Sequence, residues 1–279
     1  MYEHSELLEQ VNNVLEALRP SIEANTQFSW GPADGFRPLI LRSVFVRQTE
    51  FLAVTTKLVD MHVGYAAAPF LRAACEELLW TSYFGKIGDD ATEELVRLLV
   101  KRELTNNLEA QAGFATNEAM CMLGLTGYLN AFRTSAPARA DHLKEVGRRL
   151  GWPNHVVLKG QLPSTYFIAR ATNHQDLYAF LYHGSSRYVH FSVAELLRRT
   201  WARDGQVAVG SHTFSSYWAE FALFWGLYLF FETVAALPDD ISISEHLSPE
   251  AIETIDTLAR AIGDRGQIPI ITEEELLWE

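Results

Sequence analysis

Cysteine is nearly absent from this chain: Cys75 and Cys121 are the only two among 279 residues. Both sit in apolar helical context, so each is expected as a buried free thiol of a reducing compartment. Two cysteines exclude a disulfide scaffold and leave no Cys pair spaced for zinc. The metal-binding pattern His-Glu-x-x-His is also missing, and so is the paired Glu-x-x-His of di-iron bundles; His142 and Glu145 run in the reverse order. There is no glycine-rich phosphate loop and no Gly-x-Ser-x-Gly elbow. No cofactor and no metal are therefore expected. Basic residues are in deficit, with 23 Lys+Arg against 35 Asp+Glu and a net charge of −12. That balance weighs against non-specific binding of nucleic acid or an anionic membrane. A homodimer or a protein partner is expected; a local basic patch could still bind RNA, though the net charge does not favour it.

The start of the chain, "MYEHSELLEQ", has no apolar h-region, so no signal peptide and a cytoplasmic location are expected. The longest apolar run, "FALFWGLYLFF" (Phe221–Phe231), lies between Glu220 and Glu232. A bilayer span needs about 20 apolar residues. A shorter helix that is apolar all round is expected at the centre of a bundle, without a membrane.

With 48% hydrophobic and 21% charged residues, the composition is globular. The 3.6-residue period dominates. Leu7, Leu8, Val11, Val14, Leu15 and Leu18 form one helix face, ended by Pro20. Further helices are predicted near 38–62, 64–86 with a kink at Pro69, 91–115 capped by Asp90, 117–133, 138–150, 164–172, 175–202 and 213–237. Another starts at Ser248-Pro249, and Thr272 with Glu275 marks a short one in the tail. Residues 25–38, 151–163 and "RDGQVAVGS" read as loops, and no strand alternation of useful length appears. The expectation is all-α: a bundle of about eight to ten helices around a central apolar helix. All 279 residues are read as one domain, with an N-terminal helix and loop at 1–36, a core at 37–237 and C-terminal helices at 238–279.

Two polar stripes interrupt this pattern. In "FLYHGSSRYVHFS", Tyr178, Tyr182, Ser186 and His190 recur every fourth residue, with His183 and Arg187 on a neighbouring face. Gly184 would let another backbone approach. In "AAAPFLRAACEELLW", Arg72 and Glu76 are four apart in apolar company and are expected to pair. Buried charges require partners, and Tyr182, Ser186 and His190 are the natural ones. One reading is a structural network that sets helix register. The other is acid–base chemistry: His190 exchanges a proton, Glu76 orients it, and Arg72 or Arg187 holds an anion. In that reading Arg72, Glu76 and His190 are catalytic, while Tyr182, His183, Ser186 and Arg187 bind. Arg148, Arg149, Arg198, Arg199 and Arg203 are expected on solvated faces; the alternative is that together they form an anion-binding strip.

Leu-Arg-x3-Glu followed by Tyr-x3-Ser-x3-His resembles a family of bacterial helical proteins of unknown function. The likeness covers roughly residues 40–235, and the matching residues are Arg72, Glu76, Tyr182, Ser186 and His190. A wider likeness is to HEPN proteins, helical bundles of toxin–antitoxin and anti-phage systems, many of them metal-independent RNases with an Arg-x4-6-His motif. Here Arg149 and His155 have that spacing, but "LGWPN" breaks the helix between them, and Arg187 and His190 are too close. The resemblance implies an RNase only with a rearranged site. Three functions follow: an interaction or scaffold protein with a structural polar core, a metal-independent phosphodiesterase, or a helical protein binding a small ligand.

Overall fold

The computed structural model describes residues 4–31, 34–203, 206–210, 214–241, 243–264 and 268–272. Ten helices of seven residues or more make up most of it, so the chain is all-α. Helix α1 (His4–Ala17) buries Leu7, Val11 and Val14, the face read from the periodicity. Pro20 does not merely end it. It stands in the first turn of α2 (Arg19–Thr26), where the missing N–H costs nothing, so the loop is shorter than expected.

Helix α3 (Arg37–Asp60) is capped from a distance. The Glu93 carboxylate accepts the backbone N–H of Phe36 and of Arg37, each at 2.7 Å. An anion there also meets the positive end of the helix dipole. Pro69 likewise starts a helix instead of kinking one. A 3₁₀ turn over Gly64–Ala67 leads into α4 (Ala68–Ile87) with Pro69 in its first turn. Gly64 has a packing role, because a Cβ there would lie 3.1 Å from the backbone of Ala219. Helix α5 (Asp89–Phe114) takes Gly88, with φ 82°, as N-cap, so Asp90 is a first-turn residue and not the cap.

After α6 (Asn117–Met122), the predicted break at "RTSAPARAD" is absent: α7 (Thr126–Arg149) continues through Pro137. Pro137 is exposed, so water can reach the carbonyl it leaves unbonded, while packing against α5 holds the other side. Short helices α8 (Asn154–Leu158), α9 (Thr165–Ala171) and α10 (Gln175–Leu177) follow. The predicted 175–202 helix is broken into pieces. A π turn at Tyr178–Tyr182 runs into α11 (His183–Val189), then come α12 (Val193–Leu197) and a hairpin of β1 (Thr200–Arg203) with β2 (Gln206–Val209). The hairpin lies where a turn was read. Its strands are four residues each, too short for an alternation to stand out.

Helix α13 (Ser215–Ala236) runs through the centre and packs most extensively on α4 and α3. Phe221, Leu223, Leu227 and Leu229 are fully buried, with Trp225 and Phe230 nearly so. The 22 residues of α13 lie within the predicted 213–237 and extend beyond the apolar run at both ends. By length and composition alone it could cross a membrane, but much of its surface is covered by the surrounding helices. The 3₁₀ turns Asp239–Ile241 and Ser244–His246 precede α14 (Pro249–Asp264), where Ser248 accepts the Ala251 N–H at 3.1 Å. The pairing of Thr272 with Glu275 lies outside the described residues. Cys75 is buried as expected, but Cys121 is exposed, because α6 lies on the surface.

Phe221 has no exposed surface and lies between the rings of Tyr217 and Trp225. Phe221→Ala is expected to lower the unfolding free energy by about 3–5 kcal/mol, read from the shift in urea midpoint at unchanged slope.

Candidate functional site

The two polar stripes meet, but not as regular helix geometry would place them. The π turn carries Tyr178 and Tyr182, whose rings stack with centroids 4.9 Å apart. The Arg72 guanidinium lies over the Tyr182 ring at 4.9 Å and donates from Nη2 to the Tyr182 hydroxyl at 3.2 Å. Helix α11 then ends. His190 is its C-cap, in extended conformation at φ −111° and ψ 159°, with its N–H on the Ser186 carbonyl at 3.1 Å. The imidazole therefore leaves the Tyr–Ser stripe, and its Nε2 lies 2.6 Å from Arg72 Nη1. A guanidinium only donates, so this contact assigns Nε2 as acceptor and the proton to Nδ1. Among the described residues His190 makes no other side-chain hydrogen bond.

The other predicted residues divide. Ser186 turns back to its own helix and donates to the Tyr182 carbonyl at 2.6 Å. His183 is exposed, edge-on to Tyr178 at 4.7 Å. Glu76 does not pair with Arg72. Among the described residues it makes no hydrogen bond or ion pair, because Arg72 is drawn to Tyr182 and His190. Burial raises the Glu76 carboxyl above its usual range, and the charges of Arg72 and Arg47 only partly offset this.

Arg187 belongs to a different assembly. Its Nη2 donates to the Ile270 carbonyl at 2.9 Å and to the Tyr188 hydroxyl at 3.2 Å. Arg198, expected on a solvated face, is 3% exposed and donates to the same carbonyl. With Trp225 Nε1 donating to the Ile268 carbonyl at 3.1 Å, these groups tie residues 268–270 across α11 and α13. The Ile270 side chain fills the space beside Gly184: a Cβ there would come 2.2 Å from Ile270 Cδ1. Gly184 thus admits a side chain where a backbone was expected. This strap is a tertiary feature that no local pattern marks. Of the other basic residues, Arg149 pairs with Glu94, which His142 also contacts at 2.6 Å.

Water reaches the Arg72 cluster. His190 is exposed, and Arg72, Tyr182 and Glu76 are half-buried. His190 also lines a cleft of about 190 Å³ shared with Tyr65, Arg187, Ser192, Glu195 and Arg199. In it Arg187 Nε faces Glu195 Oε2 at 4.0 Å, and the Arg199 guanidinium covers the Tyr65 ring at 4.6 Å. Among the described residues no group of three or more His, Cys, Asp or Glu side chains is placed to hold a metal ion.

Both stripes fall inside residues 39–207, which match the model of a family of unknown function, DUF5677. The chain belongs to the DUF5677 family. The match covers more than half of the sequence but stops before α13, short of the 40–235 extent read from the motifs. No curated protein and no solved structure matches the chain. The DUF5677 segment holds Arg72, Glu76, Tyr182, Ser186 and His190, whereas the Ile268–Ile270 strap lies beyond it.

A residue passed over in the sequence sits beside Glu76. Glu77 pairs with Arg47 and accepts from Gln48 Nε2 at 2.9 Å. Burial pushes its carboxyl up to about 7, more than Arg47 and Gln48 lower it. The only sign was the doublet Glu76-Glu77 itself: adjacent helix residues point about 100° apart, so Glu77 does not follow Glu76 onto the Arg72 face. Folded Glu77 binds a proton more tightly than the unfolded chain does. Its contribution to stability is therefore full below about pH 4.5 and is lost as pH rises to about 7, by up to about 3 kcal/mol. Relative to the wild type, Glu77→Gln is expected to flatten the fall in unfolding free energy across that window. Parallel profiles from urea titrations at several pH values would contradict the assignment.

Proposed function

We propose that the Arg72–His190 pair is an anion site for metal-independent cleavage of a phosphodiester, with a single-stranded RNA as the substrate class. The observation that carries this reading is the 2.6 Å contact between Arg72 Nη1 and an exposed His190 at the mouth of a cleft bearing two further arginines. The HEPN likeness calls for a rearranged site, and the contact of Arg72 with His190, 118 residues apart in the chain, supports reading one here. In the reaction Arg72 turns to the phosphate and frees His190 Nε2, which takes the 2′-hydroxyl proton as the ribose 2′-oxygen bonds to phosphorus. The bond to the 5′-oxygen breaks, and that oxygen takes a proton from water. The products are a 2′,3′-cyclic phosphate and a 5′-hydroxyl. Arg72 meets the charge that builds on the phosphoryl oxygens. A cytoplasmic stress or anti-phage role is the setting to which the resemblance points.

His190 is exposed and caps a short helix, so His190→Ala is expected to change stability by less than about 1 kcal/mol. Cleavage of a single-stranded RNA in chelator should fall at least a hundredfold in His190→Ala and in Arg72→Ala. A wild type without cleavage, together with a large stability loss in His190→Ala, would leave the polar cluster a structural one.

A second reading, an interaction protein, has its own observation. Phe191, Val193, Val207 and Val209 are 87%, 61%, 67% and 69% exposed around a hairpin that pairs with no third strand among the described residues. Antiparallel pairing of β2 with its own copy is self-complementary about a two-fold axis, so a homodimer is the form this reading takes. Under it the molar mass in solution is twice the chain mass, and Val207→Lys returns it to one.

A further inference from the structure

A cleft of about 460 Å³ opens where α4 faces α3, α5 and the segment around Leu162. Its walls are apolar and partly aromatic, from Ile40, Val44, Trp80, Phe84, Leu99 and Leu162. Its charged groups are mostly acidic: Glu76, Glu77 and Glu103 against Arg47 alone. Arg47 already pairs with Glu77, while Glu76 has no hydrogen bond or ion pair among the described residues. Three carboxylates repel an anion. They also do not converge closely enough for a metal ion, since no such group exists among the described residues. The size is that of a small organic ligand.

Thr81 is an independent pointer. It lines the cleft, is 1% exposed, and its Oγ1 has no hydrogen-bond partner. Helical threonines elsewhere in the chain, among them Thr49, Thr55, Thr56 and Thr233, bond back to a carbonyl three or four residues earlier. An unmade bond on a buried hydroxyl is costly unless a ligand completes it.

We propose that this cleft is a second ligand site for an organic ammonium on an apolar body, with Glu76 and Glu77 holding the cation and Thr81 accepting one of its N–H groups. Trp80 and Phe84 cover the apolar part. The site lies along α4 from Arg72 and shares only Glu76 with the anion site, so it does not depend on the phosphodiester reading. A cation beside Glu77 favours the ionised carboxylate, so binding expels a proton below about pH 7 and tightens as pH rises.

The test is calorimetric titration of the full chain with phenethylamine and with its neutral counterpart 2-phenylethanol. Phenethylamine is expected to bind at least tenfold more tightly, and more weakly at about pH 5.5 than at about pH 8. Because Glu76 has no partner to lose, Glu76→Gln should keep its melting temperature yet weaken phenethylamine tenfold; Thr81→Val should weaken it severalfold. Equal affinity for the alcohol, unchanged affinity in folded Glu76→Gln, or no heat from phenethylamine up to about 10 mM would overturn the proposal.

Discussion

The packing of α4 on α13 is the constraint on which the rest of the structure depends. A helix apolar around its whole circumference cannot face water on any side, so several neighbours must cover it. Each large side chain it buries contributes about 1.5–3 kcal/mol, enough to fix the position of α4 while other groups adjust. Leu71, Ala74, Cys75, Leu78 and Leu79 face inward from α4. Its remaining surface then falls into two polar regions, one with Arg72 and the other with Glu77. Glu76 stands between them, near enough to feel both Arg72 and Arg47.

The Arg72–His190 contact arises where a helix stops. Had α11 continued, His190 would have stayed in line with Tyr182 and Ser186. The extended backbone at His190 frees the imidazole to reach Arg72, and the π turn at Tyr178–Tyr182 sets the two tyrosines beneath the guanidinium. The termination thus joins groups that a regular helix would have kept apart, while the change of winding keeps the two tyrosines stacked. The strap at Ile268–Ile270 holds the same helix through Arg187 and reaches α13 through Trp225, with Arg198 on the Ile270 carbonyl as well.

Proline shows why parts of the fold could not be read locally. Pro20 and Pro69 start helices, and Pro137 sits inside one. One residue type takes two roles, because a missing N–H costs nothing in a first turn and little on a wet face held by packing behind it. The same limit applied to charge. Arg72 and Glu76 have the spacing of an ion pair, yet Arg72 found an aromatic face and an imidazole from another helix. Arg198 looked like solvated charge but lies buried against a carbonyl.

By itself the sequence determined the all-α class, the central place of α13, the clean start of α14, and that Arg72, Tyr182 and His190 meet in one polar cluster. Those follow from periodicity and from the cost of isolating polar groups in apolar helices, both of which act over a few residues. Only the tertiary structure decided which partner each charge takes, that Glu77 faces a cleft with Thr81, and that water reaches His190. These outcomes depend on side chains brought together from distant parts of the chain, and spacing along one helix does not encode them.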